Sequence, residues 1–320
     1  MKRKFFIKVI SLMLVSVLLV GCSGGTNKTE ETGAVSDKSN NDKQIVVGVS
    51  LLNNAHVFYN NIEKALQEKA KELGYELIIQ DAAGDANKQL GQVQDFITQK
   101  VDAIIISPTN SAGSKSMVEL ADAEDIPVFT MDVASDGEVI AHVATDNYKG
   151  GELAAEYIVK NVLEDEKGEV AVITYSEIES TVERENGFTE WIEKNAPNVK
   201  VVDIQNYSGD QGKAADVMQN MLLKHENLNA VFCVGDPAAV GAMSSIDSSG
   251  KDVKIVGFDG NPEGVEAILS GGKWVADVAQ NPEEIGFSTL EAVKSHLAGE
   301  EVDKLIPIAP YIIDSSNAEG

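Results

Sequence analysis

The amino-acid sequence predicts an α/β protein built from two doubly wound parallel sheets. Short runs rich in valine and isoleucine alternate with longer segments whose apolar residues recur at helical spacing. The short runs are almost continuously apolar, which is typical of strands that helices bury on both faces. The alternation covers the first part of the chain and restarts near residues 145–147. Two sheets are therefore expected rather than one barrel.

The elements of each half follow from this alternation. In the first half, strands are predicted at 45–50, 77–79, 103–106, 127–131 and 139–144, and helices at 58–73, 86–100 and 112–123. In the second half, strands are predicted at 170–173, 199–204, 230–234 and 253–257, and helices at 181–195, 212–225 and 237–248. Helix 58–73 shows the reasoning, because its apolar residues share one face and Gly74 supplies a C-terminal stop.

The N-terminus predicts export and lipid attachment. Residues 1–8 carry four cations, and an uncharged apolar run from Val9 to Val20 follows. This run is too short for a membrane-spanning helix and has the form of a signal peptide, residues 1–21. Leu-Val-Gly-Cys at 19–22 resembles the bacterial lipobox, which implies a lipid on Cys22 as the mature N-terminus. Residues 22–43 are polar and rich in small residues, so a flexible tether is expected there.

Charge and composition exclude several classes of function. The chain has 320 residues and a formal net charge of −25, which disfavours nucleic acid as a partner. The sequence has neither a dinucleotide fingerprint nor a phosphate loop, no zinc-spaced cluster and no nucleophile elbow, so no cofactor, no metal and no catalytic residue are predicted. If Cys22 carries lipid, Cys233 has no disulfide partner and is expected to be a buried, unreactive thiol.

Polar and aromatic residues follow the predicted strands. In open α/β sheets, ligands bind beyond the carboxyl ends of the strands. The residues at these positions include carboxylates, amides, an arginine and aromatics, among them Asp132, Arg184, Tyr207, Asp259 and Gln280. On local sequence alone these residues also fit helix caps, core aromatics and a surface ion pair. Their shared placement at strand ends favours a binding site.

A series of short motifs resembles a known family. The motifs follow one another in order at 74–75, 95, 108–109, 126–128, 132, 145–147, 150–151, 217–220 and 256–260. From Gln44 to the C-terminus the chain resembles the ribose-binding-protein branch of the type I periplasmic solute-binding proteins. The resemblance implies two lobes joined by a three-strand hinge, the first formed by 44–145 and 281–309 and the second by 146–280 and 310–320.

The resemblance also implies a set of ligand-binding residues. Phe58 and Tyr59 match the adjacent aromatics that pack on a sugar ring, and Asp132 and Arg184 match hydroxyl-binding groups. Matching polar groups of the second lobe and the hinge are Asp259 and Gln280. The chemistry agrees, because flat rings suit the C–H faces of a sugar and charged groups suit its hydroxyl rim.

The chain departs from the ribose pattern at several positions. Val133 stands where the pattern has an arginine, and Gly235 stands where it has an asparagine. The aromatic of the second lobe aligns near Gly209, with Tyr207 two residues away. An asparagine that precedes the aromatic pair aligns with either His56 or Asn54. These changes predict a ligand that differs from ribose.

The resemblance implies a monomeric receptor that captures a monosaccharide, such as a ribose-like pentose or a related hexose or polyol, for a membrane ABC permease. The lipid anchor would hold it at the outer face of the cell membrane. A sensor subunit for a membrane signalling protein and a receptor for a nucleoside remain alternatives. An enzyme is disfavoured because the sequence offers no activated nucleophile or base. A gene regulator is disfavoured because the sequence offers neither a DNA-binding helix nor a basic surface.

Overall fold

The computed structural model describes residues 44–318. The predicted signal peptide, lipidated Cys22 and tether fall on residues 1–43 and lie outside the described residues. Among the helices of 44–318, none is both long enough and apolar enough to cross a membrane.

Six strands form a first sheet in the spatial order β11-β5-β4-β3-β1-β2, and all of them pair in parallel. The elements of this part, in chain order, are β1 (Val46–Leu51), α1 (Val57–Leu73), β2 (Glu76–Asp81), α2 (Ala86–Gln99), β3 (Ala103–Ile106), α3 (Lys115–Asp122), β4 (Val128–Met131), β5 (His142–Thr145) and, near the C-terminus, α9 (Pro282–Leu297) and β11 (Leu305–Ile308).

A second sheet of six strands has the order β12-β10-β9-β8-β6-β7, in which only β12 pairs antiparallel, with β10. Its elements are α4 (Asn147–Tyr157) with a π-helical turn (Ile158–Val162) and a 3₁₀ turn (Glu164–Glu166), β6 (Gly168–Thr174), α5 (Glu179–Asn195), β7 (Val199–Asn206), α6 (Gln211–Lys224), β8 (Leu228–Cys233), α7 (Asp236–Ser249), β9 (Lys254–Asp259), α8 (Pro262–Leu269), β10 (Trp274–Ala279) and β12 (Tyr311–Asp314).

Both faces of the first sheet are buried, as the apolar runs predict. Along β3, Ala103 and Ile105 join the core beneath α1 and α9, whereas Ile104 and Ile106 join a separate core beneath α2 and α3. Successive side chains of a strand point to opposite faces, so a strand covered by helices on both sides must be apolar throughout. The prediction of two doubly wound parallel sheets is confirmed.

The chain crosses between the two sheets three times, at residues 145–147, 279–282 and 308–311. After the second crossing, α9 packs on α1 of the first sheet: a Cβ at Gly286 would lie 2.8 Å from Ala65 Cβ, and Lys69 Nζ lies 2.5 Å from Glu291 Oε1. The last crossing then brings β12 to the edge of the second sheet beside β10. The backbone therefore connects the two sheets at these three places.

Six elements have no counterpart among the strands and helices predicted from the alternation. These are α4, α8, α9, β10, β11 and β12. Helix α4 contains Gly150 and Gly151, which weaken a helical pattern because glycine is a poor helix former. Strand β10 contains Asp277, which interrupts the apolar run expected of a central strand.

Two glycines allow α4 and α5 to cross at very short distance. A Cβ at Gly151 would lie 2.1 Å from the carbonyl oxygen of Arg184, and a Cβ at Gly187 would lie 2.0 Å from that of Tyr148. No real Cβ contact is so short, so only glycine fits at either position. The crossing fixes the position of α5, the helix that carries Arg184.

We predict that Gly151→Ala destabilises the protein by roughly 1–3 kcal/mol, because the added methyl group forces α4 and α5 apart. Urea denaturation measures the effect. The matched control is Gly91→Ala in α2, where an added Cβ meets nothing within 4 Å. This control is expected to gain up to about 1 kcal/mol, as alanine is the better helix former. Equal effects of the two substitutions would contradict the assignment of Gly151 to a tight crossing.

Candidate functional site

A cavity of about 240 Å³ lies where the carboxyl ends of the two sheets face each other. The loops after β1, β2 and β4 and the start of α1 line it from the first sheet. The loops after β6, β7 and β8, the first half of α5, the end of β9 and the residue after β10 line it from the second. The lining residues are Leu52, Asn53, His56, Phe58, Tyr59, Gly84, Asp132, Val133, Tyr175, Ile178, Ser180, Thr181, Arg184, Tyr207, Ser208, Gly209, Val234, Gly235, Pro237, Asp259 and Gln280. Its size lies below that of pockets for drug-sized molecules and suits a smaller solute.

The start of α1 presents three ring side chains to the cavity. His56 caps this helix, because its Nδ1 accepts a hydrogen bond from the Phe58 backbone N–H at 3.2 Å. The Phe58 and Tyr59 rings pack edge to face, with their centroids 5.4 Å apart. The Tyr59 hydroxyl donates to Asp132 Oδ2 at 2.6 Å. The aromatic pair and the Asp132 carboxylate therefore form one unit on the first sheet's side.

Asp132 is a buried carboxylate on a strained turn. It follows β4 and has a φ of +63°, a left-handed conformation that is uncommon for residues other than glycine. Burial raises the pKa of Asp132 to about 6, against the hydrogen bond from Tyr59 and the charge of Arg184, which favour the ionised form. Burial and the neighbouring Asp132 charge also raise the pKa of Tyr59 well above its usual range, so its hydroxyl remains a donor.

Arg184 is a nearly fully buried cation on the second sheet's side, with 4% of its surface exposed. Its Nε donates to Asn147 Oδ1 at 2.8 Å. Nη1 donates to the carbonyl oxygen of Val234 at 2.7 Å and to Asp259 Oδ1 at 3.3 Å. The guanidinium carbon lies 3.7 Å from the centroid of the Phe258 ring. Four neighbours thus fix the orientation of the guanidinium, and Nη2 has no hydrogen-bond partner within residues 44–318.

Asp259 and Gln280 connect the second sheet to a crossing between the sheets. Gln280 Nε2 donates to Asp259 Oδ1 at 2.7 Å, and its Oε1 accepts from the Thr145 hydroxyl at 2.6 Å. Thr145 ends β5 of the first sheet. Both ends of the Gln280 amide therefore have hydrogen-bond partners in the protein. Through this amide the Asp259 carboxylate is linked to Thr145 at the first crossing between the sheets.

Two tyrosines form the aromatic part of the second sheet's side. Tyr175 and Tyr207 pack edge to face, with ring centroids 5.7 Å apart. A Cβ at Gly209 would meet the Tyr175 ring at 3.2 Å, so this ring fills the space beside Gly209. Sequence reasoning missed Tyr175, although its position directly after β6 is the signal that applies to the other strand ends.

The structure brings seven of the eight sequence-predicted residues to the cavity and places the eighth outside it. Asn54 does not line the cavity: its Nδ2 donates to Glu63 Oε2 at 2.8 Å, and its backbone N–H donates to Asp81 Oδ1 at 3.1 Å. His56 does line it, and its Nε2 lies 3.6 Å from Asp259 Oδ2 of the other side. The ligand contacts themselves remain predictions for Phe58, Tyr59, Asp132, Arg184, Asp259, Gln280 and His56.

The departures from the ribose pattern also lie at the cavity. Val133 is buried in its wall together with Ile178 and Val234. A Cβ at Gly235 would lie 3.5 Å from Asp259 Oδ2 and 3.9 Å from the Tyr207 hydroxyl, so the missing side chain leaves space between these two groups. No cluster of three or more His, Cys, Asp or Glu side chains that could hold a metal ion occurs in the described part of the chain.

Aromatic rings and charged groups from two opposed sheets around a small cavity define a class of protein, the two-lobed solute-binding receptors. Residues 47–301 match the periplasmic binding protein domain family. The chain belongs to this family, and the fold, the three crossings and the site at the sheet ends are consistent with membership.

Individual relatives are similar over most of the chain. The ribose import binding protein RbsB of Bacillus subtilis (strain 168) is 37% identical over 93% of this chain and 95% of its own length. The D-allose-binding periplasmic protein of Escherichia coli (strain K12) is 31% identical over 78% and 83%. An ABC transporter solute binding protein from Bacillus halodurans C-125, solved with bound myo-inositol, is 27% identical, with a TM-score of 0.79 over 86% of this chain and 96% of its own.

We predict that Asp132→Asn stabilises the ligand-free protein at pH 7 by roughly 3 kcal/mol and has no effect near pH 4. The raised pKa means that the folded wild type retains a proton that the unfolded chain releases. Stability is therefore lost as pH rises from about 4 to the folded value of about 6. Asparagine keeps an acceptor for Tyr59 without the buried charge.

Denaturant unfolding of both proteins at pH 4 and pH 7 measures this difference. At pH 4 the wild-type carboxyl is protonated and resembles the amide, so each protein provides its own control. If the stability of Asp132→Asn relative to the wild type does not increase between pH 4 and pH 7, the buried charge at Asp132 is contradicted.

Proposed function

We propose that the protein is an extracytoplasmic receptor that captures a monosaccharide and delivers it to an ABC importer. The relatives at 31–37% identity are import binding proteins for ribose and a binding protein for allose. A solved structure of the same fold at 27% identity holds myo-inositol, a cyclic polyol. All of these ligands combine a small ring with a rim of hydroxyl groups.

One observation carries the proposal: two charged groups on opposite sides of the cavity have unused hydrogen-bonding atoms. Asp132 Oδ1 accepts no hydrogen bond within residues 44–318, and Arg184 Nη2 donates none there. Both residues line the cavity and are almost fully buried. Charge-assisted hydrogen bonds to a carboxylate and a guanidinium are the strong contacts that a hydroxylated ligand makes. A sugar between them would bond to both sheets at once.

The aromatic residues supply the complementary part of the site. Phe58 on one side and the Tyr175–Tyr207 pair on the other offer ring surfaces toward the same cavity. The C–H faces of a sugar are apolar and pack on such rings, while its hydroxyls reach the charged groups at the edge. Hydroxyl recognition and ring packing thus come from different residues.

The lobes of the proposed receptor consist of 44–145 with 281–309 and of 146–280 with 310–320. Groups from both sheets meet at the cavity, as the His56–Asp259 contact at 3.6 Å illustrates. A bound solute that contacts both lobes selects the closed arrangement, because only that arrangement completes its hydrogen bonds. The crossings at 145–147, 279–282 and 308–311 are the proposed hinge.

The apolar wall and the space at Gly235 set the ligand apart from ribose. Val133 offers no hydrogen bond, so a ligand hydroxyl beside it would lose its water without compensation. We therefore expect a monosaccharide or polyol with a C–H group or an apolar substituent at that side. The open space between Tyr207 and Asp259 admits additional atoms there.

We further propose that Cys22 carries a lipid that anchors the receptor to the outer face of the cell membrane, with 22–43 as tether. The proposed partner is the membrane permease of the importer, and the proposed state in solution is a monomer. The relatives compared above are solute-binding proteins, which supports a binding role rather than catalysis.

A thermal-shift screen against pentoses, hexoses, polyols and nucleosides tests the proposed function. A ligand at 100 times its Kd adds about 2.7 kcal/mol to the free energy of unfolding, which raises the melting temperature measurably. We expect one monosaccharide or polyol to stabilise the wild type. We expect little or no shift for Asp132→Asn or Arg184→Lys with the same ligand.

The matched control is Asp252→Asn, a change at an exposed carboxylate that pairs with Lys254 and Lys273 away from the cavity. This variant should respond to the ligand as the wild type does. Stabilisation by a nucleoside and by no sugar would overturn the proposed ligand class. Equal ligand shifts in the wild type and both cavity variants would overturn the proposed site.

A further inference from the structure

Two aspartates are buried side by side beneath the floor of the cavity. Asp236 is the first residue of α7, Asp277 lies within β10, and both side chains are 0% exposed. Asp236 Oδ1 and both carboxylate oxygens of Asp277 are buried and have no well-formed hydrogen bond within residues 44–318. The backbone N–H groups of Gly260 and Val278 lie near enough to Asp277 to favour its ionised form, but burial outweighs them. A Cβ at Gly264 would lie 2.5 Å from Asp277 Oδ2 and 3.4 Å from Asp236 Oδ1, so only glycine at this position of α8 leaves room for the pair.

Two adjacent buried carboxyl groups cannot both be ionised at moderate cost. Burial raises the pKa of Asp277 to about 8 and, together with repulsion from Asp277 and Asp259, raises that of Asp236 well above its usual range. A hydrogen bond between the two carboxyl groups requires a proton on one of them. At neutral pH the pair therefore holds at least one proton, and its titration belongs to the pair rather than to one residue.

Asp236 holds both ends of the turn that carries Asp259. Its backbone N–H donates to Asp259 Oδ2 at 3.3 Å, and its own Oδ2 accepts from the Asn261 backbone N–H at 2.9 Å. Between these contacts the backbone is strained, with a φ of +128° at Asp259 and +77° at Gly260. Such a conformation persists only where its surroundings fix it. The contacts to Asp236 are part of what fixes it.

We propose that Asp236 and Asp277 are positioning residues for the ligand site: their shared proton keeps the Asp236 carboxyl on the 259–261 turn, and loss of that proton releases the turn and weakens sugar binding. The effect on sugar binding rests on the proposed function, whereas the shared proton does not depend on it. Two buried negative charges repel each other, and the repulsion acts on the Asp236 carboxylate, whose Oδ2 accepts from the Asn261 backbone N–H of the turn. Ligand affinity then falls as pH rises.

The groups around the pair do not provide another source for this pH dependence. The titratable neighbours are Asp259 on β9 and Cys233 on β8. Arg184 on α5 and His56 at the start of α1 contact Asp259 and not the pair itself. Burial raises the pKa of the Cys233 thiol well above its usual range, so it stays neutral. Burial likewise raises the pKa of Tyr59 and Tyr207 at the cavity, so their hydroxyls remain protonated at pH 9.

The experiment measures the affinity of the full chain between pH 7 and pH 9.5 for whichever of D-ribose, D-allose and myo-inositol, the ligands named for its relatives, binds most tightly at pH 7. We expect the wild type to lose at least tenfold in affinity above pH 8. Asp277→Asn should keep its affinity within about twofold over this range, because its amide donates to Asp236 at any pH. Asp236→Asn, a second variant, should also have a flat profile, and the exposed Asp252→Asn should follow the wild type.

A wild-type affinity that is constant up to pH 9.5, or an equal decline in Asp277→Asn, would overturn the proposal. The amide proton resonance of Asn261 provides a readout without ligand. In the ligand-free wild type it should shift with the titration of the pair and stay constant in Asp277→Asn. If no sugar binds, the proposed function fails. An Asn261 resonance that does not respond to pH in the wild type would overturn the shared proton on its own.

Discussion

The site depends on the buried positive charge of Arg184. A guanidinium that is 4% exposed is stable only when charged and polar partners replace the water it has lost. Those partners come from several elements: Asn147 from the start of α4, the Val234 carbonyl from the end of β8, and Asp259 from the end of β9. The glycines at the α4–α5 crossing bring the helix of Arg184 to this place. The packing of α4 against α5 thus decides where the Arg184 guanidinium lies in the cavity.

The carboxylates of the cavity lie around the Arg184 guanidinium, and like it they are buried and held in place by neighbouring groups. Asp132 directly follows a strand of the first sheet, Asp259 ends a strand of the second, and both adopt positive φ values. Each is held by a neighbour, Asp132 by the Tyr59 hydroxyl and Asp259 by Gln280 and Asp236. Strained, buried carboxylates reduce the stability of the empty protein, which is the common compromise of a preformed binding site. Through Gln280, Asp259 is also connected by hydrogen bonds to Thr145, where the chain first crosses between the sheets.

Much of the fold could be predicted from the sequence, because apolar runs and helical spacing report burial directly. Helix α4 and strand β10 escaped this reasoning. Gly150 and Gly151 serve close packing and weaken the helical pattern of α4, and Asp277 is a buried carboxyl within an otherwise apolar strand. Most candidate site residues follow from their position at strand ends. The choice between His56 and Asn54 depends on the path of the loop after β1, and Arg184, between two glutamates, has the local sequence of a surface ion pair. Only tertiary packing shows that it is buried.

A crystal structure of the protein grown with the sugar that stabilises it tests the central claim most directly. We expect one sugar in the cavity, with hydroxyl oxygens within hydrogen-bond distance of both Asp132 Oδ1 and Arg184 Nη2, and with its ring against Phe58. Electron density for the sugar outside the cavity, or contacts to one sheet only, would contradict it.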